Sequence, residues 1–246
     1  MEGQLWFTEL LNHAFAKPVN AVLQSLPRPF HPAHPEAPIS NPVAMEVLVI
    51  GILLLIFLLV RSRLSVDKPG RIQHLAEMLH GLIADQSEGI IGDHSAQFIP
   101  FLTALFLFIL TSNLLGLIPT LESPTASIQV TLGCALVAFT YYNIHGLLKQ
   151  GPVGYLKHFM GPVWWMAWLL LPIEIISHFA RIMSLTIRLY GNMFAGDQVT
   201  AAFFNLIPIG VPVIFLLLHL GISCLQAYIF FLLTSIYLQG AVAHEH

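Results

Sequence analysis

Charge is scarce in this sequence. Asp, Glu, Lys and Arg make up only 9% of 246 residues, hydrophobic residues make up 56%, and mean hydropathy is +0.76. A water-soluble domain typically carries about a quarter charged residues, because its surface must face water. There is too little charge here to cover such a surface, so lipid is the expected solvent. The net charge of -3 is too small to imply an acidic or basic partner surface, and no basic run points to nucleic acid. Cysteine is nearly absent as well. Cys134 and Cys224 both lie inside apolar runs in separate segments, which excludes a disulfide framework and makes them buried, small packing residues. Metal-ligand spacing is also missing. His31 and His34 sit in a proline-rich stretch, and His74, Glu77 and His80 recur every three residues with no further ligand. With no G-x-S-x-G element either, no metal, cofactor or catalytic centre is expected.

What the chain does have is long apolar runs. Leu5, Trp6, Leu10, Leu11 and Phe15 recur at helical spacing, so residues 1–16 fit a helix lying on a membrane surface. Six prolines between Pro27 and Pro42 then make an extended linker. Residues 1–42 form an amino-terminal segment and 43–246 one membrane domain. The acidic start and the late first apolar run, near Val43, argue against a cleavable signal peptide. Spans are expected at about 43–60, 98–118, 127–148, 164–205 and 212–240. Residues 71–93 read as an amphipathic surface helix, and a short loop is expected over 151–162. The fold class is therefore all-α, with five membrane passages.

The fourth run is anomalous. From Trp164 to Ile207 it is apolar with no polar loop, roughly 44 residues, or about 65 Å as helix and twice the bilayer core. It is either two spans joined by a tight turn or one long tilted helix. Near Leu185 there is neither a polar loop nor Pro or Gly, which favours the single helix, with Pro172, Gly191 and Gly196 as candidate bends. It would pair with the last helix as a hairpin. The loops after spans one and three carry Arg61, Arg63, Lys68, Arg71, Lys149 and Lys157, while 119–126 and 205–212 carry no Lys or Arg. That places the amino terminus outside and the carboxyl terminus in the cytoplasm.

Glu174, Arg181, Arg188 and Asp197 all lie in this apolar run. Each ionised side chain at the centre of a spanning helix costs about 2.5–3.5 kcal/mol, so these groups must pair or face internal water. Glu174, His178, Arg181, Arg188 and Asn192 share one helical face, flanked by Ser177 and Ser184. Asp197 falls half a turn away from Arg188, so the two should meet different environments. The last helix carries a second seam, His219, Ser223 and Gln226, with His219 at the same end of the hairpin as Asp197. Inter-helix polar contacts average only about 0.6 kcal/mol, too little to justify these charges as structural glue, and an ion path is the default reading. A proton-coupled secondary transporter is the competing reading, but no internal repeat is visible.

The ten residues Arg188-Leu189-Tyr190-Gly191-Asn192-Met193-Phe194-Ala195-Gly196-Asp197 resemble the signature of the a subunit of bacterial F-type ATP synthases. His219 with Leu225-Gln226-Ala227-Tyr228-Ile229-Phe230 resembles that family's final helix, and Asn113-Leu114-Leu115-Gly116-Leu117-Ile118-Pro119 an early one. The resemblance implies a non-catalytic stator of the membrane F0 sector in a bacterial inner membrane. Its partners would be a c-subunit ring, b-type peripheral stalk subunits, the F1 sector and lipid. It further implies that Arg188 faces the ring carboxylates, with Asn192 beside it. Asp197, His219 and Gln226 would line an outer half-channel, and Glu174 would lie toward the cytoplasmic path. His178, Arg181, Ser184, Ser223 and Asn113 would support this seam. Some members carry an acid where Gly116 stands, and Glu122 is the nearby candidate to replace it.

Overall fold

In lipid every backbone N–H and C=O must be satisfied within its own segment, so long apolar runs without breaks become helices. The computed structural model describes residues 5–25, 37–62, 64–65, 70–92, 95–118, 120–160, 167–206 and 210–242. Among them there is no strand. Seven helices follow in order: α1 Trp6–Gln24, α2 Asn41–Ser62, α3 Arg71–Ile91, α4 Ile99–Leu115, α5 Ile128–Met160, α6 Ala167–Leu206 and α7 Val211–Val242. Short 3-10 turns, Ser95–Gln97 and Pro124–Ala126, precede α4 and α5. Most of the expected proline-rich linker lies outside the described residues.

Four helical stretches are long and apolar enough to cross a membrane: α2, residues 128–151 of α5, most of α6 and most of α7. The chain is an all-helical, multi-pass membrane protein. The second expected span, 98–118, is α4, shorter than predicted at 17 residues, about 25 Å long. It stops early because Leu117 and Ile118 donate their N–H groups to the carbonyls of Leu114 and Leu115, tightening the chain into turns.

Two expectations for the second half are resolved differently. Span three was expected to end near residue 148 with a loop over 151–162, yet the backbone is helical as far as Met160. The helix breaks only at Gly151, whose φ of 73° is open to glycine and costly for other residues. Pro152 then suits the restart, where a missing N–H leaves no bond unmade. The 164–205 run, by contrast, is one helix: α6 runs 40 residues, about 60 Å, and the alternative of a tight turn near Leu185 is excluded. Pro172, Gly191 and Gly196 all lie within it. Phe203 with Phe215, Asp197 with His219 and Met193 with Ser223 pair in opposite chain order, so α6 and α7 form an antiparallel hairpin.

The core is built around α4. Leu102, Leu105, Phe106 and Ile109 meet Ala135, Ala138 and Tyr142 of α5, Leu185, Leu189 and Met193 of α6, and Ala227, Phe230 and Phe231 of α7. Cys134 belongs to this core, but Cys224, expected to be buried, is exposed on α7. The outward faces stay apolar, as in Leu54 to Leu59 of α2, which suits a hydrocarbon solvent. α1 is turned inside out by aqueous standards: it buries Thr8 and Asn12 and exposes Trp6, Leu10 and Phe15. Asn12 fastens it by exchanging two hydrogen bonds with the Ile39 backbone, both at 3.0 Å. Gln73 of α3 makes the same kind of clamp on Ser65, at 3.1 Å in each direction.

One buried polar chain ties the centre together. Asn113 of α4 donates to the Ser223 carbonyl of α7 at 3.1 Å and accepts from Thr125 Oγ1 at 2.6 Å. Replacing Asn113 by Ala is expected to lower stability by about 1–3 kcal/mol, because buried polar partners lose their bonds. Gln129→Ala, at an exposed position, should stay within about 0.5 kcal/mol. Denaturation of the purified chain in detergent measures both.

Candidate functional site

The polar residues of α6 fall into three groups along its axis. Arg188 lies about 10 Å beyond Arg181 and about 13 Å before Asp197, at 1.5 Å per residue.

In the first group the charges satisfy one another. Arg181 Nη2 donates to Glu174 Oε1 at 3.3 Å, and the Arg181 guanidinium stands 5.3 Å over the Tyr237 ring of α7. His178 Nδ1 lies 3.4 Å from the same carboxylate oxygen and 3.1 Å from the Glu174 carbonyl. Its ring is held edge-on to Phe139 of α5.

The middle group is different. Arg188 Nη2 donates to Ser184 Oγ at 3.1 Å, and among the described residues no carboxylate lies within ion-pair distance of it. Leu185, Thr186 and Leu189 turn into the core, whereas Met183, Ser184, Ile187 and Phe194 are exposed. Arg188 sits on the border between those faces, half-buried, with half-buried Asn192 one turn further on. Beside it runs a stripe of small residues, exposed Ala180, Ser184 and Ala195 with half-buried Gly191 among them. A side chain at Gly191 would meet nothing within 4 Å.

The third group surrounds a cavity of about 640 Å³ between α6, α7 and the segment joining α4 to α5. Asp197, His219 and Glu122 line it, together with Ser123, Ser127, Gln198 and Thr200. His219 is 2% exposed and directs Nδ1 toward Asp197 Oδ1 at 3.7 Å, while its Nε2 is buried without a hydrogen-bond partner. Gly196 makes room for the imidazole: a Cβ there would lie 3.0–3.1 Å from the ring atoms. Gly116 is required by packing of the same kind, since its Cβ would come within 2.7 Å of Ser123 Cβ. A carboxylate side chain at 116 would therefore clash with Ser123, whereas Glu122 stands in the cavity wall.

The predicted residues are therefore not one cluster. Asp197 and His219 come together, and so do Glu174, His178 and Arg181, while Arg188, Ser184 and Asn192 stand between the two sets. Gln226 is buried on the His219 face of α7, about 10 Å deeper in the bundle. Ser223 Oγ turns to the sulfur of Met193 at 3.8 Å, and Asn113 holds the fold together. Sequence reasoning passed over Glu46, a half-buried acid near the start of α2, although an acid in an apolar run is itself a signal. It also passed over Ser123 and Thr125, which only the folded loop brings to Asn113.

Comparison with known proteins gives a consistent answer. The family model described as ATP synthase A chain matches residues 43–239. A protein of Koribacter versatilis named ATP synthase subunit a is 54% identical over 248 residues, covering 100% of both chains. Its namesake in Solibacter usitatus is 48% identical over 213 residues, 86% of this chain and 91% of that one. Another from Nitratidesulfovibrio vulgaris strain DP4 is 48% identical over 198 residues, 80% of this chain and 83% of its own.

The three glycines are expected to respond differently to a side chain. Gly116→Val and Gly196→Val should each lower stability by about 1–3 kcal/mol, as overpacking does. Gly191→Val should leave stability within about 0.5 kcal/mol of the parent. Thermal unfolding of the purified chain in detergent distinguishes them.

Proposed function

This chain belongs to the ATP synthase A chain family, and from that premise we propose that it is the stationary proton-channel subunit of an F-type ATP synthase. It provides two offset half-channels to and from the carboxylates of a c-subunit ring, and so couples proton flow to rotation and ATP synthesis. The observation that carries this reading is the guanidinium of Arg188. It lies midway along an apolar helix, and the acids nearest to it along that helix are engaged elsewhere, Glu174 with Arg181 and Asp197 with His219. A charge left so in lipid costs about 2.5–3.5 kcal/mol. A counter-charge arriving from outside the chain would offset that cost.

The mechanism follows from electrostatics. A proton entering the outer half-channel by way of Asp197, His219 and Gln226 neutralises a ring carboxylate. Only the neutral form can rotate through lipid at low cost. When that site completes its circuit it meets Arg188, with Asn192 alongside. A fixed positive charge about 4 Å away favours the ionised carboxylate by about 4 kcal/mol at an effective dielectric near 20. The released proton leaves along the inner path past Glu174 and His178. Arginine suits the task because it stays charged throughout. Its charge also bars protons from hopping between the half-channels, which would dissipate the gradient without turning the ring. Each proton crossing about 100 mV supplies about 2.3 kcal/mol, so several are needed per nucleotide.

The ring would seat on the exposed face of α6, where Ala180, Ser184, Gly191 and Ala195 let another helix come close to Arg188. The subunit itself performs no catalysis; the F1 sector does, with b-type stalk subunits holding the two sectors in register. With α4 counted as a fifth passage, the basic residues after α2 and at the end of the span in α5 face the cytoplasm of a bacterial cell, and the amino terminus lies outside.

In inverted membrane vesicles, Arg188→Ala is expected to abolish ATP-driven proton pumping. Pumping at normal coupling would remove Arg188 from the mechanism. Gly191→Val should also stop pumping while leaving the chain folded, because it fills the space reserved for the ring helix. Normal pumping by that variant would move the ring to another face.

A further inference from the structure

We propose that Glu122 is the proton-collecting carboxylate at the mouth of the cavity that leads to Asp197 and His219, a role that rests on the half-channel reading above. Glu122 is exposed and yet lines the cavity, so it touches both bulk water and the interior path. Its backbone is fixed. The neighbouring Ser123 is buried, donates Oγ to the Ser112 carbonyl at 3.1 Å and lies 2.7 Å from Thr125 Oγ1. Thr125 then bonds Asn113, which reaches α7. The carboxylate is thereby carried on the rigid frame that positions His219.

The charge pattern of the cavity supports the assignment. Among the described residues lining it, the acids are Glu122 and Asp197, and there is no lysine or arginine. A concave wall bearing one sign of charge concentrates the opposite ion and raises its arrival rate by about 10- to 1,000-fold, less so as salt is added. Deeper in, His219 Nε2 is buried with no partner in the fold, a free position on the path inward. Position 116, which also lines the cavity, is closed to a carboxylate by Ser123. The chemistry is proton transfer alone. A buffer acid or hydronium gives its proton to a Glu122 oxygen, Glu122 passes one to cavity water, and Asp197 accepts one. In each step one bond to hydrogen breaks as another forms.

The test uses proteoliposomes carrying the whole complex, with ATP synthesis driven by an imposed proton gradient. At low salt and low buffer on the uptake side, Glu122→Gln is expected to synthesise about 10-fold more slowly than the parent. Glu122→Asp should restore the rate, and so should a high concentration of imidazole, a small mobile proton carrier, added to the Gln variant. Parent-like synthesis by Glu122→Gln at low buffer overturns the proposal. So does a slow rate that neither imidazole nor Glu122→Asp restores, which would mark Glu122 as structural. Arg188→Ala runs in parallel. If it is silent while Glu122→Gln is normal, only the role of Glu122 falls; if it makes ATP, the half-channel reading itself falls.

Discussion

A charge placed in an apolar helix has to find its complement, and the organisation of this protein follows from how each one does. Desolvation removes water as the default partner, so an ionised group is tolerated only beside an opposite charge, beside a cavity that admits water, or where something else will bring the complement. α6 contains the first two, and the role proposed for Arg188 would supply the third. Glu174 and Arg181 complete each other. Asp197 has a histidine and a cavity. Arg188 has a serine hydroxyl, which satisfies a donor without cancelling a charge.

The arrangement also keeps the two acids of α6 from reaching the middle guanidinium. Asp197 lies half a helical turn away from Arg188 and faces α7, where Gly196 lets the imidazole close in. Glu174 shares a face with Arg188 but lies about 21 Å before it along the same helix. Arg181, between them, takes the carboxylate as its own partner. The aromatic face of Tyr237 steadies that second arginine.

Much of this was legible in the sequence because lipid imposes strict rules. Helix type and approximate extent follow from apolar runs, and the single long α6 follows from the lack of any turn chemistry near Leu185. The facing of Glu174, Arg181 and Arg188 follows from helical spacing. Other features depend on tertiary contacts that no local pattern encodes. The meeting of Ser123 with Gly116, which determines where an acid can stand, needs the folded segment between α4 and α5. The pairing of Glu174 with Arg181 was open because periodicity places three groups on one face without saying which two touch. Asn113 looked like part of a polar seam, and only its partners reveal a structural pin. The helix after Gly151 was missed because Gly-Pro reads as a loop, while here it is a break between two helical stretches.

In the stationary role proposed here, a neighbour turning past the chain would load it sideways, and the buried chain through Asn113 is suited to bear that load. Hydrophobic contacts resist separation but slide with little resistance, since one methyl group serves nearly as well as the next. A directional bond from the Asn113 amide to the backbone of α7 fixes axial register instead. Because the same amide oxygen holds Thr125, shear on α7 is passed to α4 and to the segment behind it together. In the role proposed here, Asn113 would in this sense help brace the hairpin bearing Arg188 against torque.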